Sequence, residues 1–491
     1  QIYDKQKKIQ LSDSEALSVF LDEGEAHKHY LRAAIEIGIA LGFGTIQYYA
    51  PNIFGGDEKN PNQVDWLYWG WSGQLRRFKD LNGFRMDDNN FRTNLDHSLA
   101  GAVYYQLARS NNLSTLESFL YSFAASSVWE VIIEHREVIS INDQVLTPVG
   151  GMVIGEALYQ FGRYFRAKHS LVGQVLAGLF DSPTKLNEIL DRKGSKSTLG
   201  DLNSPSGHFG FSAGQTHSDE SGSLNQIGMD GEIYTIPMFD EPGVIRELYT
   251  DTAFSQILAN FTGKGTAIQD FQGFAKVVLA AYYNKDLRRE ENGQYRGYKM
   301  FFGLSSAMEY ESRGSRADGT PADWVGSVHV VGTSLDITSY YKGVQLRVTM
   351  DVFGDFGMVR SYAIEKVKQQ SGGRVPDTFD SVTRKNDYYY ALGLTRMFSI
   401  QGKYQNIGVG YKFGLSDYDR IGSRNQYFET ESIPGKVTDS FKKQEIFISY
   451  DVTRKMKVVF SVEKREREGQ LLGVKNTGDE TVRSGKLIYL F

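Results

Sequence analysis

The sequence predicts a membrane β fold, in which an antiparallel transmembrane β-sheet or barrel wall of about 10–12 strands follows an N-terminal α-helical region. Three observations predict it. Apolar and polar residues alternate along the second half of the chain, short turns alternate with long polar connections, and the composition is rich in glycine and aromatic residues. The helical part is expected over residues 1–200 and the β-wall over residues 201–491.

The alternation is strongest in four segments, at 298–310, 344–352, 407–416 and 455–463. In the second of these, Val344, Leu346 and Val348 are separated by Gln345 and Arg347. Successive side chains of a strand point to opposite faces, so each segment has one apolar face and one face with charge or glycine. These segments are therefore predicted to be strands with a single apolar face.

The connections between the strands favour a membrane barrel over a soluble sandwich. Short turns are expected at 341–343, 401–403 and 453–455. Long polar loops, taken to be extracellular, are expected at 311–323, 354–387, 417–442 and 466–482. Short turns on one rim and long loops on the other are typical of outer-membrane barrels, with strands of about 9–11 residues.

The end of the chain has the character of a terminal barrel strand. Gly485, Leu487, Tyr489 and Phe491 share one face, and Phe491 is the last residue. This pattern is similar to the terminal strand that the bacterial outer-membrane assembly machinery recognises, so we expect that machinery as a partner.

The composition agrees with this prediction without deciding it. The chain has 51 glycines, only 10 prolines, and 29 tyrosines with 30 phenylalanines, as aromatic girdles and a small-residue lumen require. Its 41% hydrophobic and 23% charged residues would also suit a soluble protein. A barrel keeps such bulk polarity because only alternate residues meet lipid.

Several classes of site and segment are excluded or disfavoured. The absence of cysteine excludes disulfides and thiolate metal sites, and a net charge of −4 without a basic block gives no footprint for nucleic acid. The apolar stretch at 35–50 is short and interrupted by Glu36, so no transmembrane helix is predicted. Because the chain begins at Gln1, we expect a processed or trimmed protein of the bacterial outer membrane, with its export signal upstream.

The first 200 residues have helical spacing. Helices are predicted near 17–24, after Asn94–Asp96, from Thr115 to about Glu137, and from Thr147-Pro148 to about Arg166, with a linker at 192–204. The Thr115 helix is apolar or small almost all round, so it is expected to be buried in protein or to face lipid. Whether the helices lie against the β-wall or inside it is left open.

Polar residues in this half allow two interpretations. His97, Glu130, Glu134 and Glu156 could surround a metal ion, or His97 could act as a general base. Neither a Glu-x-x-His motif nor a Ser–His–acid order supports this. The alternative is a structural network, in which such groups pair with Arg109 or other partners because polar groups in a poorly hydrated layer must be satisfied internally. Asn142-Asp143 is interpreted as a turn.

The same residues carry a resemblance over about 90–165. The motif comprises His97, Gly101, Tyr104, Tyr105, Arg109, Trp129, Glu130, Glu134, Asn142, Asp143, Gly150, Gly151 and Glu156. It resembles the PopA-like family of porin-like, lipid-trapping outer-membrane proteins of predatory bacteria.

The resemblance implies ring-shaped oligomers, pentamers with tetrameric or hexameric relatives, whose β-walls combine into one composite bowl around a lipid-filled chamber. It implies membrane lipids and further copies of the chain as partners, bound lipid in place of a cofactor, no metal, no catalysis, and a structural role for the motif residues. The residues fit this, because any open sheet edge must be paired or covered and neighbouring copies could do so.

Two other functions stay open at this point. The first is a barrel-borne lipid hydrolase or lipid-modifying enzyme that uses His97 and the nearby carboxylates. The second is a monomeric diffusion channel whose lumen is lined by Lys299, Arg347, Lys412 and Lys457.

Overall fold

The computed structural model describes residues 27–54, 74–75, 77–78, 83–135, 139–168, 170–191, 205–265, 267–315, 321–376, 379–421 and 436–491. The predicted helix near 17–24 and the predicted linker at 192–204 lie outside these residues. In the helical part, α-helices are α1 Tyr30–Phe54, α2 Phe91–Arg109, α3 Thr115–Val128, α4 Ile141–Val145, α5 Gly151–Arg166, α6 Leu171–Phe180 and α7 Ser182–Leu190. π-helical turns occur at Trp129–Ile133 and Leu146–Gly150.

The helices begin where the sequence provides capping groups. Asn90 accepts a hydrogen bond from the Thr93 amide at the start of α2. Ser114 and Glu117 form a capping box at the start of α3. Two short strands, β1 Phe84–Arg85 and β2 Ile139–Ser140, pair in parallel. This pairing brings the chain before α2 next to the chain before α4.

Thirteen further strands form one antiparallel sheet. They are β3 Ser206–Ser218, β4 Gly222–Tyr234, β5 Gly243–Tyr249, β6 Phe254–Lys264, β7 Ala267–Arg289, β8 Tyr295–Ser315, β9 Pro321–Tyr341, β10 Val344–Val359, β11 Tyr389–Tyr404, β12 Ile407–Arg420, β13 Thr438–Thr453, β14 Met456–Leu471 and β15 Val474–Leu490. All except β5 form a closed twelve-stranded barrel, which is sealed by β7 with β8 and by β15 with β3. The predicted fold class is confirmed.

The two faces of the barrel follow the predicted alternation. Inward-facing charged residues such as Arg347 and Lys412 line the lumen, whereas Leu392, Ile446 and Phe460 on the outside are each about 60% exposed. An apolar belt on a closed sheet is what lipid requires, because the backbone groups of a closed sheet pair between neighbouring strands. The molecule is a transmembrane β-barrel.

The helices pack against the outer face of this barrel. The strand residues that contact them alternate with lumen-lining residues: Phe209 meets Phe161 and Phe165, whereas its neighbour His208 faces the cavity. The contacts follow one row of paired residues across seven strands, Phe209, Gly231, Ile257, Ala275, Met308, Val328 and Phe356. We call this helical part, residues 27–191 as described, the helical layer.

The sheet closes within one chain, which corrects one expectation. Every barrel strand has a strand partner on both sides, although β15 pairs with β3 over Val482–Leu490 alone. A composite wall built by strand pairing between copies is therefore unnecessary. The helical layer covers part of the apolar outer surface of the barrel.

The loops are sorted by rim less strictly than predicted. We call the rim where the barrel begins at Ser206 and ends at Leu490 the terminal rim, and the other the far rim. The far rim carries the long connections 360–388 and 421–437, but the predicted loop at 466–482 is a two-residue turn at 472–473. β8 and β9 likewise extend to within five residues of each other at 316–320.

The physical reason is that polarity does not end a strand. Residues 464–482 are highly charged, yet Lys464 pairs with Glu466 while the backbone ladder of β14 and β15 continues. The longer strands, up to 23 residues in β7, therefore extend beyond the membrane thickness, which about 9–11 residues would span. The turn predicted at 401–403 likewise lies at 405–406, after β11.

Both mouths of the barrel are covered by chain segments. At the terminal rim, Phe239 stacks on Tyr234 with ring centroids 4.0 Å apart, and the Lys285 ammonium donates to the carbonyls of Met238 and Glu241 at 2.6 and 2.8 Å. At the far rim, segment 360–370, with helix α8 Ile364–Gln370, packs on Tyr418 and Leu471. Between them the lumen holds a cavity of about 550 Å³.

Candidate functional site

The motif residues of the helical layer assemble into two buried polar groups. The first lies where α2, the π-helical turn Trp129–Ile133 and α4 meet, close to the far-rim end of β11. We call it the His97 cluster: His97, Glu130 and Asp143, with Asp87, Asn94, Ser140 and Asn142 around them. One ligand-type atom from each of the first three residues lies within 4.8 Å of the others.

Short backbone elements bring these residues together. The parallel pairing of Arg85 with Ser140 places Asp87 beside α4, and the Ser140 hydroxyl donates to Asp87 at 3.0 Å. The Ser140 amide donates to Glu130 Oε2 at 2.9 Å. Asn142 Nδ2 donates to Asn94 Oδ1 at 3.0 Å and to Asp143 Oδ1 at 3.2 Å.

The cluster reaches the barrel through two tyrosines. Asn94 Nδ2 donates to the Tyr388 hydroxyl at 2.7 Å, and the Tyr390 hydroxyl donates to Asp87 Oδ1 at 3.1 Å. Both rings belong to the core between barrel and helices. The helical layer is therefore attached to the barrel by polar contacts as well as apolar packing.

Burial dominates the electrostatics of the cluster, which lies outside the membrane-spanning strands. Burial lowers the pKa of His97, because it disfavours the charged imidazolium. Burial, together with the carboxylates of Asp87 and Glu130, raises the pKa of Asp143 well above its usual range. The site therefore concentrates carboxylate groups that repel each other when ionised.

The second group is built on Glu156, and we call it the Glu156 network. Arg109 binds this carboxylate in a two-point ion pair, with Nε–Oε2 at 2.9 Å and Nη2–Oε1 at 3.2 Å. The Tyr105 hydroxyl donates to Oε2 at 2.8 Å, and Gln160 donates to Oε1. Glu156 is fully buried, so α2 and α5 are joined through a satisfied buried charge.

These positions correct the metal interpretation of the sequence. Of its four residues, His97 and Glu130 converge, whereas Glu156 does not join them. Its ion-pair partner Arg109 stands twelve residues after His97 on α2, about 18 Å along the helix axis. Glu134 ends the π-helical turn and is not one of the three converging residues. Asp143, interpreted as a turn residue, is the third member because α4 turns it inward.

The glycines of the motif allow backbones to touch. A Cβ on Gly101 would overlap the Thr147 carbonyl oxygen, and a Cβ on Gly151 would overlap the backbone of Gly101. A Cβ on Gly150 would come within 2.5 Å of the Ser98 hydroxyl. The other motif residues pack in the same layer: Tyr104 is buried in the core of α1, α2 and α3, and Trp129 lies against Gly44 and Tyr48 of α1.

Sequence reasoning missed Asp87, Tyr388 and Tyr390, and it named Asn94 only at the start of a helix, which in the structure begins earlier, at Phe91 with Asn90 as its cap. A weak signal existed for Asp87 alone, because the polar run 87–90 ends in Asn90, the cap of α2. Tyr388 and Tyr390 stand about 300 residues away along the chain, and nothing in their local pattern separates them from other aromatic strand residues.

The terminal strand and the lumen residues have the following places. Leu487 and Tyr489 lie on the outer face, 42% and 43% exposed, Gly485 lies beside the Phe460 ring, and Phe491 packs on Phe209 and Phe211. Recognition by the assembly machinery stays a prediction. Arg347, Lys412 and Lys457 line the cavity, whereas Lys299 pairs with Asp240 at the covered terminal mouth.

One stretch of the helical layer has the composition of a membrane-crossing helix. Among the described helices, only Thr115–Ile133 is both long enough and apolar enough, with a mean hydropathy of 1.2 over 18 residues of which 28% are buried. The sequence prediction named no transmembrane helix. It did place this segment in protein or against lipid.

Residues 83–182 match the profile of a domain of unknown function, DUF3943, and this segment contains both polar groups. A search of curated protein sequences finds no match. Similar solved structures include the NanC porin (9% identity, 57% of this chain and 98% of that chain, TM-score 0.26). A second is the loop L8 deletion mutant of OmpT, an outer membrane protein of Vibrio cholerae (9% identity, 59% of this chain and 100% of that chain, TM-score 0.23). A third is the outer membrane protease OmpT from Escherichia coli (11% identity, 60% of this chain and 99% of that chain, TM-score 0.18). At these TM-scores the similarities carry no functional argument.

Proposed function

We propose that this chain is a porin-like, non-catalytic protein of the bacterial outer membrane that assembles into a ring through its helical layer and encloses lipid. The observation that carries the proposal is a second apolar surface outside the barrel. Exposed apolar side chains cover the outer faces of the helices, including Leu31 and Phe43 of α1, Leu116 of α3, and Leu171 and Leu179 of α6, each more than two-thirds exposed.

This surface is unusual for a helical layer that touches water. A soluble helix turns its polar face outward, whereas here the polar groups of α2, α4 and α5 point inward to the His97 cluster and the Glu156 network. An apolar outer face fits acyl chains or the same face of another copy. The barrel supports this arrangement, because the helices cover only the β3–β10 side and leave Leu392 and Ile446 to the surrounding bilayer.

The ring would differ from the composite bowl that the resemblance implies. Each barrel closes on its own strands, so copies would meet through helices and lipid would lie between helical layers. Packing between helices in lipid depends on close side-chain fit rather than on the hydrophobic effect. Five copies are the number that the resemblance implies, and membrane phospholipid is the proposed bound molecule.

Polar substitutions on the outer face of α3 are expected to break the assembly. We would replace Leu120 and Phe123, 52% and 43% exposed, with Asn, and compare them with the matched change of Ile446 and Ile448, 66% and 50% exposed on the uncovered side of the barrel. The helical pair should convert the oligomer to monomers and release co-purified phospholipid, whereas the barrel pair should leave both unchanged. Light scattering in mild detergent and lipid mass spectrometry measure the two results.

A wild-type protein that is monomeric and free of phospholipid in mild detergent would contradict the proposal. Equal loss of assembly in both variant pairs would also contradict it, because the helices would then have no special part. Phospholipid or lipid A turnover that disappears in His97→Ala would overturn the non-catalytic assignment and favour the enzyme.

A second candidate, the diffusion channel, rests on the charged cavity of about 550 Å³. Several of its charges pair with one another: Lys276 lies 3.0 Å from Asp351, and Arg347 lies 2.6 Å from both Glu232 and Asp336. With both mouths covered, we expect the wild type to show no steady conductance in planar bilayers. Replacing residues 236–241 and 364–370 together by Gly/Ser linkers should open both mouths and produce conductance, and steady wild-type conductance would favour the channel.

A further inference from the structure

The His97 cluster has the donor atoms and the spacing of a metal site. One imidazole nitrogen and one carboxylate oxygen from each of Glu130 and Asp143 lie within 4.8 Å of one another. Both acids are 1% exposed, and the His97 side chain is 17% exposed, which leaves a route from the surface. The three residues belong to three separate elements, α2, a π-helical turn and α4.

The distance between His97 and Asp143 fits shared coordination better than a direct bond. His97 Nε2 and Asp143 Oδ2 are 3.6 Å apart, too far for a hydrogen bond. Among the residues that the structure describes, none forms a hydrogen bond with either ring nitrogen of His97. Two ligand atoms at about 2.1 Å from one tetrahedral ion stand about 3.4 Å apart, which is close to the observed separation.

The carboxylates are already oriented by neighbouring groups. The Ser140 amide holds Glu130 Oε2 at 2.9 Å, and Asn142 Nδ2 holds Asp143 Oδ1 at 3.2 Å, which turns Asp143 Oδ2 toward His97. Ser140 and Asn142 are themselves buried and hydrogen-bonded to each other at 2.8 Å. Metal sites use such outer contacts to fix their ligands.

Charge balance favours an ion at this position. Among the described residues, the buried Asp143 carboxylate has His97 as its one basic neighbour within 4 Å, and an ionised carboxylate there is costly unless a cation compensates it. Asp87, bound to the Ser140 hydroxyl at 3.0 Å, adds a third carboxylate nearby. Glu130 also lies in a π-helical turn, and such interruptions of an α-helix are frequent at functional sites.

We propose that His97, Glu130 and Asp143 bind one first-row divalent metal ion of the zinc class. The imidazole nitrogen selects for zinc-like ions over magnesium or calcium, which prefer all-oxygen sites. The ion would join α2, the π-helical turn and α4 and so stabilise the helical layer. This role is separate from ring assembly, and it does not depend on the proposed function.

Zinc binding to the full chain in detergent tests the proposal. After chelator treatment and exchange, we expect one Zn²⁺ per chain by elemental analysis, and His97→Gln and Asp143→Asn should each weaken the affinity at least about tenfold. With Co²⁺ as a spectroscopic substitute, the visible absorption of the bound ion should be lost in His97→Gln. Retention of the folded gel mobility of an unheated sample would show that the variants still fold.

A second histidine–carboxylate pair provides the matched control. His208 Nε2 lies 3.7 Å from Asp230 Oδ2, but this pair faces the lumen, is 41% and 34% exposed, and belongs to no three-ligand group among the described residues. His208→Gln should keep wild-type zinc affinity. The proposal is overturned if the wild type takes up no zinc, if folded His97→Gln binds it as tightly as the wild type, or if only His208→Gln loses it.

Discussion

Gly101→Val is expected to destabilise the helical layer by about 3 kcal/mol or more, the upper range for overpacking of a close contact. A Cβ at this position would overlap the carbonyl oxygen of Thr147, and backbone cannot move aside as a side chain can. Gly151 meets the Gly101 backbone from the other direction, so α2 and the start of α5 would have to separate. Urea unfolding in detergent, followed by the helical circular-dichroism band, measures the loss.

Gly42→Ala is the matched control for this change. Gly42 also lies within a helix, α1, but a Cβ there meets no atom within 4 Å. Alanine should therefore leave stability unchanged or raise it by up to about 1 kcal/mol, through the better helix propensity of alanine. A Gly101→Val protein within about 0.5 kcal/mol of the wild type would show that the contact between the two backbones is not real.

Glu156→Leu is expected to cost about 3–5 kcal/mol of folding free energy, because it leaves the Arg109 guanidinium buried without its main partner. The Arg109 side chain is 7% exposed and that of Glu156 is fully buried, so water cannot replace the lost contact. The Tyr105 hydroxyl and Gln160 amide lose an acceptor in the same step. Arg109→Met alone should be destabilising for the converse reason.

The double variant Arg109→Met with Glu156→Leu should recover much of this loss, since apolar residues of similar volume often replace a buried ion pair without cost. A double-mutant cycle measures the coupling, and a double variant no more stable than either single one would contradict the assignment. Asp417→Asn provides the comparison at an exposed pair: Arg396 and Asp417 are 43% and 48% exposed, and their separation should cost no more than about 1 kcal/mol.

Local pattern was sufficient for the strands, because the two-residue period follows from backbone geometry alone. Val344, Leu346 and Val348 were assigned to one face from their spacing, and they lie on the outer face of β10. The positions at which the strands end were harder to predict from the sequence. Hydrogen bonding to the neighbouring strand determines where a ladder stops, which is why the charged segment 466–482 remains paired.

For the candidate site, too, the sequence predicted one part and only the structure gave the other. The motif residues could be singled out, and a structural network around Arg109 was one of the two interpretations. What the spacing could not give was their grouping into two sites. His97 and Asp143 are separated by 45 intervening residues and meet only because α2, α4 and a π-helical turn cross at one point.

The sequence by itself therefore determined a barrel with an apolar exterior, because alternation of side chains along a strand is a local property. Only the tertiary structure decided that the sheet closes within one chain, that the helices cover the outer side of seven strands, and that Tyr388 and Tyr390 contact the His97 cluster. Those features depend on contacts between residues up to about 300 positions apart, whose free energies arise only when the elements pack, and no local pattern encodes them.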